Sequence, residues 1–479
     1  MAALGAQIVD SGWYLARYPD VAASEMNALR HYVQYGLQEG RDGSPRLSLS
    51  GYQWRYGTPD WTPQRALANY WLKGRWLGRQ GIVEVAGARS EVRRRCMLVC
   101  AHSVSPTLAG AERSLLDVVA GLDSLGFDVV VVVPNARHSD YLQALLGLTR
   151  SVVIMPYGWW RSDRPVSPVT RELIAELMQR HAVEALYVNT VTLEDAPMAA
   201  AHLLGKPVIM HVRELPAHDP ELCQVLNATA AQVLARVGSL ADRLVANSRH
   251  TARVFDPSGR IAKVVPNTLD VADYAALPAP KPGERLQVGL VGSLVAKKGL
   301  ADIERLAMLL EQQGQAIDFQ LFGAESSELK SLLARQAAGS GPSNLHYQGY
   351  VESPLQALAK LDVVLNLSSM QESFGRSVLE AMACARPVVC YDWGALSELV
   401  EEGRNGYLVP LGDVNAVAER LMRLASQPER LAEMGGHGRR MVEKRYGQAA
   451  FHRALRHAVA DLGALTDPEF GPESDTRRN

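Results

Sequence analysis

The stretch VVLNLSSMQESFGRSVLEAMACARPVVCY, residues 363–391, decides the fold class. It opens on a short β-branched run, Val363–Leu367, that reads as a buried strand. A polar loop follows, and Ser373-Phe374-Gly375 can open a helix. That helix is apolar at Val378, Leu379, Ala381 and Met382, with Glu380 set among them. A second short strand, Val388–Tyr391, comes next. Strand, helix, strand is the repeating unit of a parallel sheet with helices on its faces.

The same alternation extends in both directions. Upstream, strands are expected at Cys96–Ala101, Asp128–Val133, Val152–Met155, Leu186–Asn189, Val208–His211, Leu244–Asn247 and Lys263–Pro266. A second series comprises Leu286–Val291, Asp318–Phe322, Leu345–Tyr347, Val363–Leu367, Val388–Tyr391 and Tyr407–Val409. Between the two series lies LPAPKPG, residues 277–283, whose alternate prolines stiffen and extend the chain as an interdomain linker does. The expected architecture is α/β: two doubly wound, Rossmann-like domains, 91–277 and 284–445, facing across a cleft. A C-terminal helix and tail take up 446–479. In such sheets ligands bind beyond the carboxyl ends of the strands, and the polar residues of interest do follow strands.

Residues 1–90 read differently. Five of the eight Trp fall within residues 1–80, and residues 1–95 carry 13 Lys/Arg against 8 Asp/Glu. A shift of 38 residues overlays 10–47 on 48–85 without gaps. Tyr14, Arg17 and Tyr18 fall on Tyr52, Arg55 and Tyr56; Ala28, Leu29 and Tyr32 on Ala66, Leu67 and Tyr70; Gly36, Gly40 and Arg41 on Gly74, Gly78 and Arg79. Such self-similarity marks a repeated supersecondary unit, here a short aromatic helix, a Pro-containing turn and a second helix closed by Gly. The expectation is a small helical, aromatic-rich tandem-repeat module. Its rings suit a core, and equally a platform for a glycan or a partner. A chain starting near Glu91 is expected to fold without it.

Composition narrows the class. The 479 residues suffice for several domains, and a net charge of -1 disfavours a general nucleic-acid binder. No apolar run approaches the ~20 residues of a membrane span, and the N-terminus lacks the pattern of a signal peptide. Five cysteines without a CxxC pair point to a reducing compartment and to no structural zinc.

Three segments carry chemistry. Ala109-Gly110-Ala111-Glu112 follows the first strand and opens a helix, where backbone amides can meet a phosphate; an ordinary turn reads the same way. Gly292-Ser293 ends a strand, and the loop then brings Lys297 and Lys298 toward a helix, where lysine can neutralise a diphosphate or simply be solvated. In the third, Glu372 precedes the helix that Ser373-Phe374-Gly375 can open, and Glu380 lies about two turns deeper. A carboxylate in so apolar a helix needs a partner, either hydroxyls of a ligand or a structural salt bridge.

Taken together, residues 96–445 resemble the retaining nucleotide-sugar transferases of the GT-B fold, glycosyltransferase family 4 in particular. The most specific element is Glu372…Glu380, which matches the family's E-x7-E motif. Gly394, Glu398-Leu399-Val400, Gly403 and Asn405-Gly406-Tyr407 fit its next block, and Asn247-Ser248 and Pro266-Asn267 fit ends of its N-domain strands. The resemblance implies that Glu380 holds the nucleotide ribose and that Glu372 contacts the transferred sugar. It implies that the amides of Ser373, Phe374 and Gly375 cradle sugar and phosphate, that Lys298 grips the diphosphate beside Gly292 and Ser293, and that Gly110 lies by the phosphates. His211 falls where the family often has a histidine near the donor sugar; a core histidine is the plain alternative. Glu372, Lys298 and His211 are thus the expected catalytic residues. Two departures stand out. Ser293 replaces the usual Arg of the diphosphate pair, and Ala109 replaces a glycine.

The implied function is metal-independent, retaining transfer of a sugar from a nucleoside diphosphate sugar to a glycan or lipid-linked acceptor in bacterial surface polysaccharide synthesis. No cofactor is expected, and no nucleic-acid partner. The expected location is the cytoplasm, with peripheral contact to the membrane or to a glycan-assembly protein through residues 1–90. A nucleotide-sugar epimerase and a catalytically weakened scaffold remain as alternatives.

Overall fold

The computed structural model describes residues 8–58, 60–89, 95–102, 110–281, 283–460 and 462. The chain forms two compact units, one built on residues 1–245 with 258–263 and 455–479, the other on 246–257 and 264–454.

The first unit is organised by an eight-stranded sheet in the order β1-β4-β3-β2-β5-β6-β7-β8. Its strands are β1 (Val83–Ala86), β2 (Cys96–Cys100), β3 (Asp128–Val133), β4 (Ser151–Ile154), β5 (Val183–Val188), β6 (Val208–Val212), β7 (Arg243–Ala246) and β8 (Ala262–Val264). The pairings β2–β3, β2–β5, β3–β4 and β5–β6 are parallel. β2, β3 and β4 are buried on both faces, which is why they read as unbroken apolar runs rather than alternating ones.

The second unit holds a six-stranded parallel sheet, β11-β10-β9-β12-β13-β14. The strands are β9 (Leu286–Val291), β10 (Ile317–Phe322), β11 (Leu345–Gly349), β12 (Val363–Asn366), β13 (Val388–Tyr391) and β14 (Gly406–Val409). One apolar layer joins Val288, Phe319 and Leu365 to the helices Leu300–Gln312 and Val414–Ala425. The other packs Val364 and Val388 against the helices Arg376–Ala383 and Pro428–Tyr446. These two α/β units, each a Rossmann-like domain, constitute the GT-B fold expected from the strand pattern.

In residues 8–86 the structural elements recur at the same spacing of 38. Asp10 caps the helix Ser11–Arg17 by accepting from Trp13 N, and Ser48 caps Leu49–Tyr56 by accepting from Gly51 N. Tyr14 lies 5.7 Å from Tyr32 and bonds His31; Tyr52 lies 5.3 Å from Tyr70 and bonds Asn69. Gly36 and Gly74 leave no room for a Cβ, which would strike the Tyr14 and Tyr52 hydroxyls. Tyr14, Tyr32 and Tyr52 are thus core.

The structure differs from the expected boundary at residue 90. Val83–Ala86 is not helical; it is an antiparallel edge strand on β4, with Val83 opposite Ile154. Gly51 sits against Ile154 at a distance no side chain would allow, Ser50 Oγ accepts from Ala136 N, and Arg137 donates to Gly40 O at 2.7 Å. The first segment is therefore built into the first unit. A chain beginning near Glu91 would lose β1 and uncover the β4 edge, so independent folding of that piece is no longer expected.

Candidate functional site

In the second unit, three loops after strands carry the candidate residues. Beyond β9, Gly292 has φ +139°, in the region that favours glycine, and donates its N–H to Phe322 O at 2.9 Å. Ser293 is exposed, and a 3₁₀ turn, Ala296–Lys298, ends at Gly299, whose φ of +86° and close approach to the Leu367 carbonyl again require glycine. This turn points Lys298 at Glu372: Nζ lies 2.6 Å from Oε1, with both side chains partly buried.

The backbone of Glu372 is fixed by the next crossover. It bridges to Gly394, and Ala395 N donates to Glu372 O at 2.8 Å. Gly394 (φ +71°) has no space for a Cβ beside Glu372. Ser373 is held through its side chain by Asn247 Nδ2 (3.1 Å) and through its carbonyl by the Thr251 hydroxyl (3.1 Å). Phe374 is buried edge-on to Tyr446. Gly375, φ +97°, is the N-cap of Arg376–Ala383. Among the described residues, the N–H groups of Ser373, Phe374 and Gly375 donate to no protein acceptor. Open amides beside a helix N-terminus favour an anion or a polar oxygen. Glu380 is buried, 3.2 Å from Arg376 Nε and 3.4 Å from the Tyr274 hydroxyl. Its partner is thus a salt bridge one turn away, and a ligand hydroxyl would join that pair.

In the first unit, His211 lies at the end of β6, 1% exposed. Its Nδ1 meets Tyr187 Oη at 2.6 Å and Arg213 Nη2 at 2.9 Å. A guanidinium can only donate, so Nδ1 carries the lone pair and the proton sits on Nε2. Burial, with the Arg213 charge beside it, holds the imidazole well below its ordinary pKa, hence neutral. Among the described residues, Nε2 has no hydrogen-bond partner. Arg213 also donates to Asn189 O, and Thr190 Oγ1 donates to Glu214. Asn189 Nδ2 reaches His102 Nδ1 at 3.4 Å, while His102 Nε2 pairs with the buried Glu112 at 3.2 Å. Gly110 is exposed at the start of the helix Gly110–Ser124; Ala109 lies outside the described residues.

The second unit thus brings Lys298, Glu372, the 373–375 amides and Glu380 around one helix start, with Gly292 and Ser293 at the head of the neighbouring loop. Gly110 and His211 belong to the first unit. Sequence reading did not single out Tyr187, Asn189 or His102, which together with Arg213 orient His211 and its loop. Nor did it foresee that Gly394 and Thr251 hold the Glu372-Ser373 backbone. These pairings join residues far apart in the chain and leave no local signal.

Two family models match the chain: "Glycosyltransferase Family 4" over residues 108–273 and "Glycosyl transferases group 1" over 285–427. A GDP-mannose-dependent monoacylated α-(1-6)-phosphatidylinositol monomannoside mannosyltransferase of Corynebacterium glutamicum is 25% identical over 73% of this chain and 93% of its own. A poly(ribitol-phosphate) α-N-acetylglucosaminyltransferase of Staphylococcus aureus is 28% identical over 33% of this chain, a match spanning 32% of that protein. Among solved structures, Anabaena HepE in complex with UDP-glucose superposes with a TM-score of 0.60 at 20% identity, over 76% of this chain and 99% of HepE.

Proposed function

Starting from the fact that this chain belongs to glycosyltransferase family 4 and is a glycosyltransferase that uses a nucleoside diphosphate sugar, we propose that it transfers the sugar with retention to a glycan or lipid-linked acceptor in bacterial surface polysaccharide assembly. The observation that carries the mechanism is the Lys298–Glu372 pair at 2.6 Å beside the open amides of 373–375.

A bound diphosphate competes with Glu372 for Lys298. Once Lys298 turns to the β-phosphate, the Glu372 carboxylate is free to accept from hydroxyls of the transferred sugar. As the bond from C1 to the phosphate oxygen breaks, its electron pair goes to the phosphate. Lys298 and the helix-start amides stabilise that charge without reorganising, and fixed groups facing developing charge usually account for most of an enzyme's rate enhancement. The acceptor oxygen bonds C1 on the face the phosphate leaves, and its proton passes to the departing phosphate oxygen. Glu380, anchored by Arg376, holds the ribose. His211 offers a neutral Nε2–H to an oxygen of a bound sugar. With Ser293 in place of an arginine, Lys298 carries most of the leaving-group charge.

Two further features support the acceptor class. Relatives are named for action on poly(ribitol-phosphate) and on a monoacylated phosphatidylinositol monomannoside. Leu72, Trp76 and Leu77 are exposed next to Lys73 and Arg75, an apolar and basic edge suited to a membrane surface on the cytoplasmic side. Among the described residues, no helix is long and apolar enough to cross a membrane.

The test is a screen of nucleoside diphosphate sugars for binding and slow hydrolysis in EDTA, with wild type and Lys298→Ala. Hydrolysis of at least one donor by wild type, lost in the variant, is expected. Turnover of none, or turnover only with added Mg or Mn, overturns the mechanism.

A further inference from the structure

Within the first unit, the start of the chain and two loops at the carboxyl edge of the sheet enclose a cavity of about 370 Å³. Trp13 and Arg17 come from the first helix, Trp160 and Arg164 from the loop after β4, and Glu194 from the loop after β5. That volume lies near the lower end of the ~300–1,000 Å³ typical of small-molecule sites.

Glu194 is the decisive residue. It is 8% exposed; one carboxylate oxygen accepts from Gly158 N at 3.0 Å, and the other, Oε1, has no hydrogen-bond partner among the described residues. A buried acceptor left unmatched is costly, and burial raises the pKa of this carboxyl while Arg17 and Arg164 oppose the rise. Those two guanidinium groups are fixed by backbone carbonyls: Arg17 by Tyr157 O at 3.3 Å, and Arg164 by Trp159 O at 3.2 Å and Arg17 O at 3.3 Å. Nearby charges are already matched, Arg161 with Asp163 and Asp195 with Arg236. The cavity therefore offers two indoles, fixed N–H donors and one open buried acceptor, and Asp10, which also lines it, balances the second guanidinium so that the charges cancel.

That combination suits a pyranose: C–H faces against indole, hydroxyls donating to a carboxylate and accepting from guanidinium. A phosphate would meet Glu194, and a purely apolar ligand would leave Oε1 unmatched. We propose that this cavity binds an uncharged sugar residue and that this residue belongs to the acceptor glycan. The second part rests on the transferase reading; the first part does not. Trp13 and Arg17 precede both family matches, which begin at residues 108 and 285, so the site is an addition made by this chain's N-terminal segment. The loop that ends at Glu194 starts at Asn189, whose carbonyl accepts from Arg213 beside His211. One short loop thus links the cavity to the histidine.

The experiment titrates the full chain with the methyl α-glycosides of glucose, galactose, mannose and N-acetylglucosamine, read by saturation-transfer NMR and tryptophan fluorescence. Two variants accompany the wild type: Glu194→Gln, which keeps the shape, and Val166→Trp, which fills the mouth from a rim position that is 40% exposed. Millimolar binding of at least one glycoside is expected, weakened roughly tenfold or more in both variants, the scale of one charge-assisted hydrogen bond. Melting temperatures separate lost binding from lost fold, and Val166→Trp decides should Glu194→Gln misfold. No glycoside bound by wild type, or equal binding by a folded variant, overturns the proposal. Sensitive glycoside binding without any donor hydrolysis leaves the sugar site standing and removes its acceptor role. Donor hydrolysis without glycoside binding leaves the transferase and removes the site.

Discussion

In the second unit the charged candidate residues are paired with one another, Lys298 with Glu372 and Arg376 with Glu380. In the first unit three polar atoms of the candidate loops stand open: among the described residues, His211 Nε2, Asn189 Oδ1 and Glu194 Oε1 are buried without a hydrogen-bond partner, as is Asn247 Oδ1 in the second. The two arrangements make different demands on a ligand. A ligand of the second unit must displace an existing partner, so its own charge decides whether it binds, and an anion such as a diphosphate is favoured. A ligand of the first unit fills vacancies that cost the empty protein stability. Removing a paired group should therefore harm both fold and function, while removing an open one should harm function alone.

The largest effect is expected at the pair. Lys298→Ala should lower turnover by on the order of 10²-fold or more, as when a preorganised group facing developing charge is removed. It also leaves Glu372 partly buried without its cation. A rate within a few-fold of wild type, measured by donor hydrolysis and transfer in EDTA, would remove Lys298 from the mechanism.

The two glutamates should then part company. Glu372→Gln is expected to lower kcat with little change in nucleotide affinity, because its partner hydroxyls sit on the reacting sugar. Glu380→Gln should raise the nucleotide Kd by roughly tenfold and leave kcat nearly intact, since ribose is held equally in ground and transition states. Calorimetric titration with nucleoside diphosphate, alongside steady-state rates, distinguishes them; identical behaviour of the two variants would dissolve the distinction.

Much of this was legible in the sequence, and the reason is local. β3, β9 and β13 are short runs with few or no polar residues, so Asp128–Val133, Leu286–Val291 and Val388–Tyr391 are read with their observed limits. β1 was not legible. Val83–Ala86 is a half-exposed edge strand with Glu84 at its centre, and it becomes a strand only because β4 offers an unpaired edge. The same holds for the site. The spacing of Glu372 and Glu380 is written in one helix, but Asn247 and Ser373 are 126 residues apart and meet only in the folded chain. The repeat shows both sides of the matter. Its tyrosines recur as core at both copies, yet Trp13 of the first copy has Gly51 as its counterpart in the second. Gly51 lies flat on Ile154, and Trp13 lines a cavity. Overlay of the copies shows the difference, but only the neighbouring sheet gives it a meaning.

His211 tests the open side of the comparison. His211→Gln keeps a side-chain N–H donor and should retain more activity than His211→Ala, with both less impaired than Lys298→Ala. The imidazole is held well below its ordinary value of ~6.5 by burial and the Arg213 charge, so it is neutral near pH 7, and no ionisation of it should appear near 6.5 in the rate profile. The stability sign follows. A folded pKa below the unfolded one means that the unfolded chain takes up the proton first, so stability falls as pH drops below about 6.5. Thermal melts between pH 5 and 8 should show a shallower acid loss for His211→Gln than for wild type. A rate titrating near 6.5 that vanishes in His211→Gln would show instead that the imidazole works as a proton carrier.

The smallest effect is expected at Asp42, another carboxylate of the first unit, with no cation bonded to it among the described residues. Its Oδ1 accepts from Leu49 N at 2.9 Å, tying the first repeat copy to the second. Burial pushes its carboxyl up to about 6, although Leu49 N and the charges of Arg137 and Arg17 pull it down. In the unfolded chain it titrates near ~3.9. The folded state therefore binds the proton more tightly, and the contribution is fully present below about pH 4. It is lost as pH rises through about 6, where the partly buried group must ionise. Asn cannot ionise and can keep the bond from Leu49. Asp42→Asn should then match wild type in melting temperature below pH 4 and exceed it at pH 8, with donor hydrolysis unchanged. A variant less stable than wild type at pH 8 would mean that Asp42 is compensated like the paired carboxylates of the second unit, and the contrast between the units would not extend to the repeat.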